Sequence, residues 1–471
     1  MSSLRMIFAA ALLAGIAAPA IAQQFPPAPP IGEPKPFNVP AYESYTLANG
    51  MEVTLIPYGV TPKTVVSLRI YAGAVDEGGD TWLSDLTADM MKQAAGNRDA
   101  AAIATAAADM GGGLSTGVSG DVTSVSMNVL SEHAADAIAL VGDVARRPAF
   151  PAGELARVKG NWSRQLAQAL ADPGSLADAA LARTYYGTQH PYGSLFPSAA
   201  KLDGYTIDQV KRFYADNFGA KRARLYIAGK FDAASVKAAV EAAFGDWKAG
   251  AERRMLPPTP VKGPQLVLVD RPGAPQTTLR IAYPAPAPGT TGDIPLRVTD
   301  ALLGGSFSSR ITRNIREDKG YTYSPYSSYD HTPYGGRWTF NADVTTAVTG
   351  ASLSEVFKEM RTLQTTPPPA EEATGMGRYL AGLFAIQNAT APALVGTLAE
   401  RDALGLPDNW LQNYVPAVLA VSPQAMTQAA EATLPIDQAT LVVVGDLATV
   451  EPQLKALPEL KGATFKRVTV P

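Results

Sequence analysis

The strongest constraint on this chain is an order of segments that occurs twice. Residues 41–250 open with SYTLANGMEVTLIP and KTVVSLRIYAGA, extended runs in which Asn49-Gly50 is a hairpin signal. A helical stretch, LSDLTADMMKQ, follows, then the Gly-rich turn and strand GGGLSTGVSGDVTSVSMNVL, then long Ala/Leu/Glu-rich helices, and finally ARLYIAGKF. Residues 264–471 repeat the plan with QLVLVD, QTTLRIAYPA, ITRNIREDK, GGRWTFNADVTT, more helices and ATLVVVGDL. Both closing strands end in glycine, Gly229 and Gly445. Matched order within one chain predicts an internal duplication. Strands mixed with helices, without strict βαβ alternation, predict an α+β fold: two homologous domains, each a mainly antiparallel sheet with helices packed on one face.

Two Pro-rich stretches mark the boundaries, and 471 residues exceed what one hydrophobic core organises. QQFPPAPPIGEPKPFNVP reads as an extended arm, and KAGAERRMLPPTPVKGP interrupts the periodic pattern between the halves. The expected division is a signal peptide at 1–22, an N-terminal arm at 23–40, a first domain at 41–250, a linker at 251–263 and a second domain at 264–471. MSSLRMIFAAALLAGIAAPAIAQQ has one Arg, a short apolar run and an Ala20-Ile21-Ala22 cleavage signal, so cleavage after Ala22 and a periplasmic or secreted location are expected. The chain has no cysteine, which excludes disulfides and thiol catalysis and leaves no attachment thiol for a lipid. A net charge of -3, with both signs scattered, offers no basic stripe for nucleic acid. No later stretch is apolar enough to span a bilayer, so no membrane span is expected in the mature chain.

Two segments bear chemistry. A helix from about Thr81 to Gln93 would place Trp82, Leu86 and Met90 on a core face, with Asp85, Ala88, Asp89 and Lys92 opposite. Catalytic zinc prefers imidazoles plus a carboxylate, and the chain has only His133, His190 and His331, none at helical spacing. From the residues alone, Asp85 and Asp89 read as a solvated helix face, with binding of a hard cation such as Mg²⁺ or Ca²⁺ as the alternative. His190 and His331 read as loop-stabilising residues and His133 as a cap or surface residue. The second segment is ALLGGSFSSRITRNIREDKGYTYSPYSSYD. Ser306 is the expected N-cap, Gly320 the stop, and Ile311 and Ile315 the inward side of a helix. Tyr321 and Tyr323 would share one side of a following strand. Arg316 reads either as a cation on the helix dipole or as a functional group.

AGAVDE, the helix ending in ADMM, the run from MGGGLSTG to RRPAF, and GTQHPYGS together resemble the N-terminal half of the pitrilysin/insulinase zinc peptidases, the inverzincins. The resemblance covers about Tyr42 to Val468 and is to half-length, two-domain members that close in pairs as bowls around a chamber. It sets Asp85 and Asp89 at the zinc-ligand positions of H-x-x-E-H and Ala88 at the general-base position, and the later glutamate ligand at Gln165 or Leu166. The metal box is degenerate, so the resemblance implies that this chain holds no cofactor and is inactive alone. LGGSFSSR…IREDKG carries the family's R-x6-Y pair as Arg316 and Tyr323, implying donors to substrate backbone and to a developing oxyanion. The implied function is a zinc-free subunit of a heteromeric peptidase whose homologous partner carries H-x-x-E-H and the zinc, acting on peptides or unfolded segments. Gly112, Gly113, Ser115 and Thr116 read either as the candidate substrate-binding edge, by strand addition, or as a simple Gly-rich hairpin. The alternative is a non-catalytic scaffold or peptide-binding protein of the same fold; retention of Arg316 and Tyr323 favours the subunit.

Overall fold

Each half of the sequence builds its own six-stranded sheet. In the computed structural model, which describes residues 32, 34–261 and 263–469, the first sheet comprises β1 (Glu43–Thr46), β2 (Glu52–Pro57), β3 (Lys63–Ile70), β4 (Leu114–Val118), β5 (Thr123–Leu130) and β6 (Ala223–Gly229). The second comprises β7 (Gln265–Asp270), β8 (Gln276–Ala285), β9 (Tyr326–Thr332), β10 (Gly335–Thr345), β11 (Thr440–Gly445) and β12 (Phe465–Arg467). The spatial orders are β1-β2-β6-β3-β5-β4 and, read from the opposite edge, β12-β7-β11-β8-β10-β9. Five strands match one for one: β2 is parallel to β6 as β7 is to β11, and the remaining three pairings in each set are antiparallel. The sixth strand differs, because β1 pairs antiparallel with β2 while β12 lies parallel to β7. The signal peptide expected at 1–22 lies outside the described residues. From residue 34 the Pro-rich arm is irregular, and Phe37 packs edge-on against Phe384 at 5.0 Å.

The duplication reaches single contacts. A Cβ on Gly229 would lie 2.1 Å from the Lys63 carbonyl oxygen, and one on Gly445 would lie 2.7 Å from Thr277 Oγ1. Each closing glycine therefore lets its strand run tight against the neighbouring strand, at a point where Thr64 or Thr277 is completely buried.

Alternation along the central strands sends side chains into two cores. In β6, Leu225 and Ile227 face the first half's own helices, Ala134–Arg146 and Ala233–Phe244, and α1 (Leu83–Met91) and α2 (Ala152–Ala171) add to the same core. The opposite face carries Val65, Tyr226 and Ala228 and belongs to the core of the second half. The reason is an exchange of helices. α3 (Pro173–Tyr186), from the first half, seals the outer face of the second sheet with Ala177, Ala180, Leu181 and Tyr185 against Val267, Ala282, Val442 and Val444. In return α4 (Ala391–Ala403) lies on β3 and β6 through Leu394, Leu398 and Ala399. Matching ion pairs pin the exchange: Arg280 Nε lies 2.7 Å from Asp178, and Arg224 lies 3.0 Å from Asp402, which also accepts the Tyr226 hydroxyl at 2.6 Å. The α+β layering holds, but the second face of each sheet is also covered. The two sheets accordingly belong to one unit from Pro36 onward. Among the described residues, no helix is long and apolar enough to cross a membrane.

Candidate functional site

α1 carries the first candidate group and is buried nearly all round. Ser84, Leu86, Thr87, Ala88 and Met90 are at most 1% exposed, leaving Asp85 and Asp89 as its half-buried positions. Ala88 thus belongs to the interior, not to an exposed face, and Trp82 caps the helix in the left-handed region at φ 70. Asp89 is engaged twice: Lys92 Nζ lies 2.7 Å from Oδ1, and Trp162 Nε1–H donates to Oδ2 at 2.9 Å. Trp162 stands on α2, one turn before Gln165 and Leu166, and its ring lies 5.1 Å from that of Trp82. Gln165 is exposed and Leu166 is core. Among the described residues the Asp85 carboxylate has no partner but its own backbone N–H; burial, with the negative charge of Asp89, pushes its carboxyl up to about 6. The expectation of a solvated acidic face therefore fails. One carboxylate is paired internally and the other is partly dehydrated.

Asp85 and Trp82 line an open cleft of about 770 Å³ between the two sheets. Sequence reasoning missed two of its groups. Glu77 is 8% exposed and accepts both the backbone N–H and the hydroxyl of Ser84 at 2.9 and 2.5 Å. Burial raises its carboxyl to about 7, the Ser84 hydrogen bonds opposing the shift and the charge of Asp85 adding to it. Asp121 accepts the Tyr192 hydroxyl at 2.7 Å, and burial raises its carboxyl too. Asp121 is bonded by the distant Tyr192, a contact the local sequence does not mark, whereas Glu77 is bonded by Ser84 only seven residues on. His190 ties a loop down through Nε2 to the Leu256 carbonyl, 2.9 Å away. His331 lies not in a loop but in β9, 3.2 Å from the buried Asp293 and 2.9 Å from Arg297. His133 stands beside Glu132 and Asp136 before the helix Ala134–Arg146.

The second candidate group is set by GGSFSSR. A π-helical turn, Ala301–Gly305, ends in a tight bend, and Ser309, not Ser306, caps the helical segment after the bend: its Oγ accepts the Thr312 N–H at 3.3 Å. Ile311 and Ile315 are fully buried, as their spacing predicts. The turn stops at Gly320, φ +64, where the Tyr321 N–H reaches the Ile315 carbonyl at 2.8 Å. Arg316 is half-buried and Tyr323 is 79% exposed. The guanidinium lies 5.0 Å from the Tyr323 ring centre and 4.5 Å from that of Phe307. Among the described residues no acceptor bonds to the Arg316 guanidinium or the Tyr323 hydroxyl. Tyr321 and Tyr323 do not share a side, since the segment bends and Tyr321 packs inward against the core. The structure thus brings Arg316 to Tyr323 but not to the degenerate box: neither Arg316 nor Tyr323 lines the cleft that contains Asp85.

β4 is one of the two edge strands of its sheet, β1 being the other. Gly112 is required for its approach, because a Cβ there would lie 2.3 Å from the Asn128 carbonyl oxygen, whereas one on Gly113 would meet nothing. The Ser115 hydroxyl bonds to Ser126 Oγ at 3.0 Å and that of Thr116 accepts from Lys92 at 3.2 Å, so this edge offers backbone groups rather than free hydroxyls.

Two family models match the chain: "Insulinase (Peptidase family M16)" over residues 53–197 and "Peptidase M16 inactive domain" over residues 204–375. The chain belongs to peptidase family M16. It is similar to the uncharacterized zinc protease YmxG of Bacillus subtilis, at 24% identity over 62% of this chain and 73% of that one. Among solved structures it resembles a peptidase M16 inactive domain from Pseudomonas fluorescens (TM-score 0.78, 23% identity, 86% of this chain and 98% of that one). It also resembles a chain of complex III from Candida albicans (TM-score 0.73, 15% identity, 87% and 98%). At these identities the structures speak for the fold.

The zinc implied by such relatives does not fit the M16 box of this chain. The three box positions offer two carboxylates and a methyl group, and one of the carboxylates, Asp89, already holds an ammonium and an indole N–H. Among the described residues no group of three His, Cys, Asp or Glu side chains is disposed to hold a metal ion.

Proposed function

We propose that this M16 chain is the zinc-free subunit of a heteromeric periplasmic or secreted metallopeptidase, and that it supplies Arg316 and Tyr323 to an active site whose zinc and general base belong to a homologous H-x-x-E-H partner. One observation carries the reading: the Arg316–Tyr323 pair is assembled, outward-facing and without an internal acceptor, while the metal box is chemically closed. An Arg and a Tyr hydroxyl offer donors to a substrate carbonyl and to the oxyanion it becomes. Preorganised donors of this kind are worth about 2.7–4 kcal/mol of barrier each. The substrates are peptides or unfolded segments, which add as a strand along Gly112, Gly113, Ser115 and Thr116.

The test is to mix or co-express this chain with an H-x-x-E-H homologue of the same cell and follow cleavage of an unstructured peptide. Arg316→Ala and Tyr323→Phe each lower kcat by about 10²-fold. If both variants leave the rate unchanged, the reading fails. The closed metal box and the fold shared with a respiratory-complex chain support a second reading, a scaffold or peptide-binding protein. On that reading the chain still co-purifies with partners, but neither residue affects any rate.

A further inference from the structure

We propose that Phe307 is a positioning residue for Arg316, holding its guanidinium jointly with Tyr323; this rests on the proposed role of Arg316 as a donor to substrate.

The arginines near this segment are held by acids or by backbone oxygens. Arg310 is paired with Glu372 at 2.6 Å, Arg297 with Asp293 at 2.8 Å, and Arg313 bonds the Ser308 carbonyl. Arg316 has two carboxylates next to it in sequence, Glu317 and Asp318, yet among the described residues it pairs with neither. Its guanidinium instead lies 4.5 Å from the Phe307 ring centre and 5.0 Å from that of Tyr323. The two modes of restraint have different chemical consequences. A carboxylate binds the N–H edge and cancels the charge, so it would occupy the donors that an oxyanion needs. An aromatic ring is attracted to the cation through its π face, contributes only about 0.5–1 kcal/mol at an exposed site, and leaves charge and edge donors available. Contact with two rings also limits rotation about the last side-chain torsions more than contact with Tyr323 alone.

The local sequence is built to put Phe307 there. Gly304 and Gly305 let the π-helical turn lie against β9 and Asp300: a Cβ on Gly304 would come 2.6 Å from Ser327 Oγ, and one on Gly305 would come 2.5 Å from Asp300 Oδ2. Ser309 then caps the next helical turn. The bend between these two fixed points is Ser306-Phe307-Ser308, and its phenyl ring points outward. Phe307 is 71% exposed, so it contributes little to the core. A stability role does not account for a large apolar ring in that position.

The test uses the intact chain. Nitrogen relaxation of the Arg316 Nε–H reports side-chain order with no partner present. Phe307→Leu is expected to cut that order sharply, to leave the melting temperature unchanged, and to be rescued by Phe307→Tyr. In the mixed peptidase, Phe307→Leu is expected to lower kcat about fivefold with KM within twofold, and Phe307→Tyr to restore it. Equal Arg316 order in wild type and Phe307→Leu overturns the inference, as does an unchanged kcat in an active mixture. The relaxation experiment reads this chain alone, so it separates this inference from the proposed peptidase role: a mixture without peptidase activity sinks that role while the measured order still decides about Phe307.

Discussion

Replacing Leu181 with Ala tests the helix exchange directly. Leu181 is 3% exposed on α3, which belongs by sequence to the first half but closes the sheet of the second, among Ala177, Ala180, Val267 and Val442. Buried Leu→Ala changes cost about 2.7–5.0 kcal/mol, the larger values arising where the surroundings cannot collapse. The neighbouring alanines are short and the strands are fixed by their ladders, so the void stays open and a cost in the upper part of that range, about 4 kcal/mol, is expected. At 1.36 kcal/mol per factor of ten, that is about a 10³-fold rise in the exchange rate of amides that open only by global unfolding. Hydrogen exchange read by mass spectrometry should show this rise equally in β8, which α3 covers, and in β3, which it does not. If β8 accelerates while β3 keeps its wild-type protection, the halves unfold independently and the shared core is wrong.

Three further outcomes are expected. Gly112→Ala should destabilise the chain by about 1–3 kcal/mol, since the Asn128 carbonyl must move, while Gly113→Ala should stay within about 1 kcal/mol; equal costs in denaturant melts would refute the edge-strand packing. Asp300 is buried beneath Ser327 and Trp338, whose O–H and N–H donate to it, and burial raises its carboxyl to about 6 from an ordinary 3.8. The folded state therefore holds the proton more tightly, and Asp300's share of stability is present below about pH 4 and lost as pH rises through about 6, by up to about 3 kcal/mol. Calorimetry should find Asp300→Asn faring better against wild type at pH 7 than at pH 4.5; the same difference at both values would contradict this. Lastly, Asp85→His, Ala88→Glu and Asp89→His combined should load well under one equivalent of zinc until Trp162→Glu is added, because the Trp162 indole occupies the space beside the position-89 side chain and the introduced glutamate would supply a carboxylate there. Full loading of the triple variant by metal analysis would show that the indole is no obstacle.

Local pattern carries some features of this chain and cannot carry others. The repeated strand order is legible because period-two alternation and closing glycines are local signals, and they recur as the matched pairings of Thr64 with Gly229 and Thr277 with Gly445. The inward set Leu86, Met90, Ile311 and Ile315 follows helical spacing. Ala88 does not follow it, because α1 is packed on more sides than an amphipathic pattern describes. Sequence favours Ser306 over Ser309 as a cap because it does not reveal the π-helical turn ahead of them. The pairings of Asp89 with Trp162 and of Asp121 with Tyr192 depend on contacts between distant segments, and these leave no periodic trace.

The swap of α3 and α4 also bears on how the proposed peptidase assembly would open. A hinge through the residues joining the halves would have to strip α3 from β7, β8 and β11 and α4 from β3 and β6 at once, breaking the Arg280–Asp178 and Arg224–Asp402 pins with them. Such a chain behaves as one rigid jaw, and under the proposed peptidase role a mouth able to admit a polypeptide would open between this chain and its proposed partner rather than between its own halves.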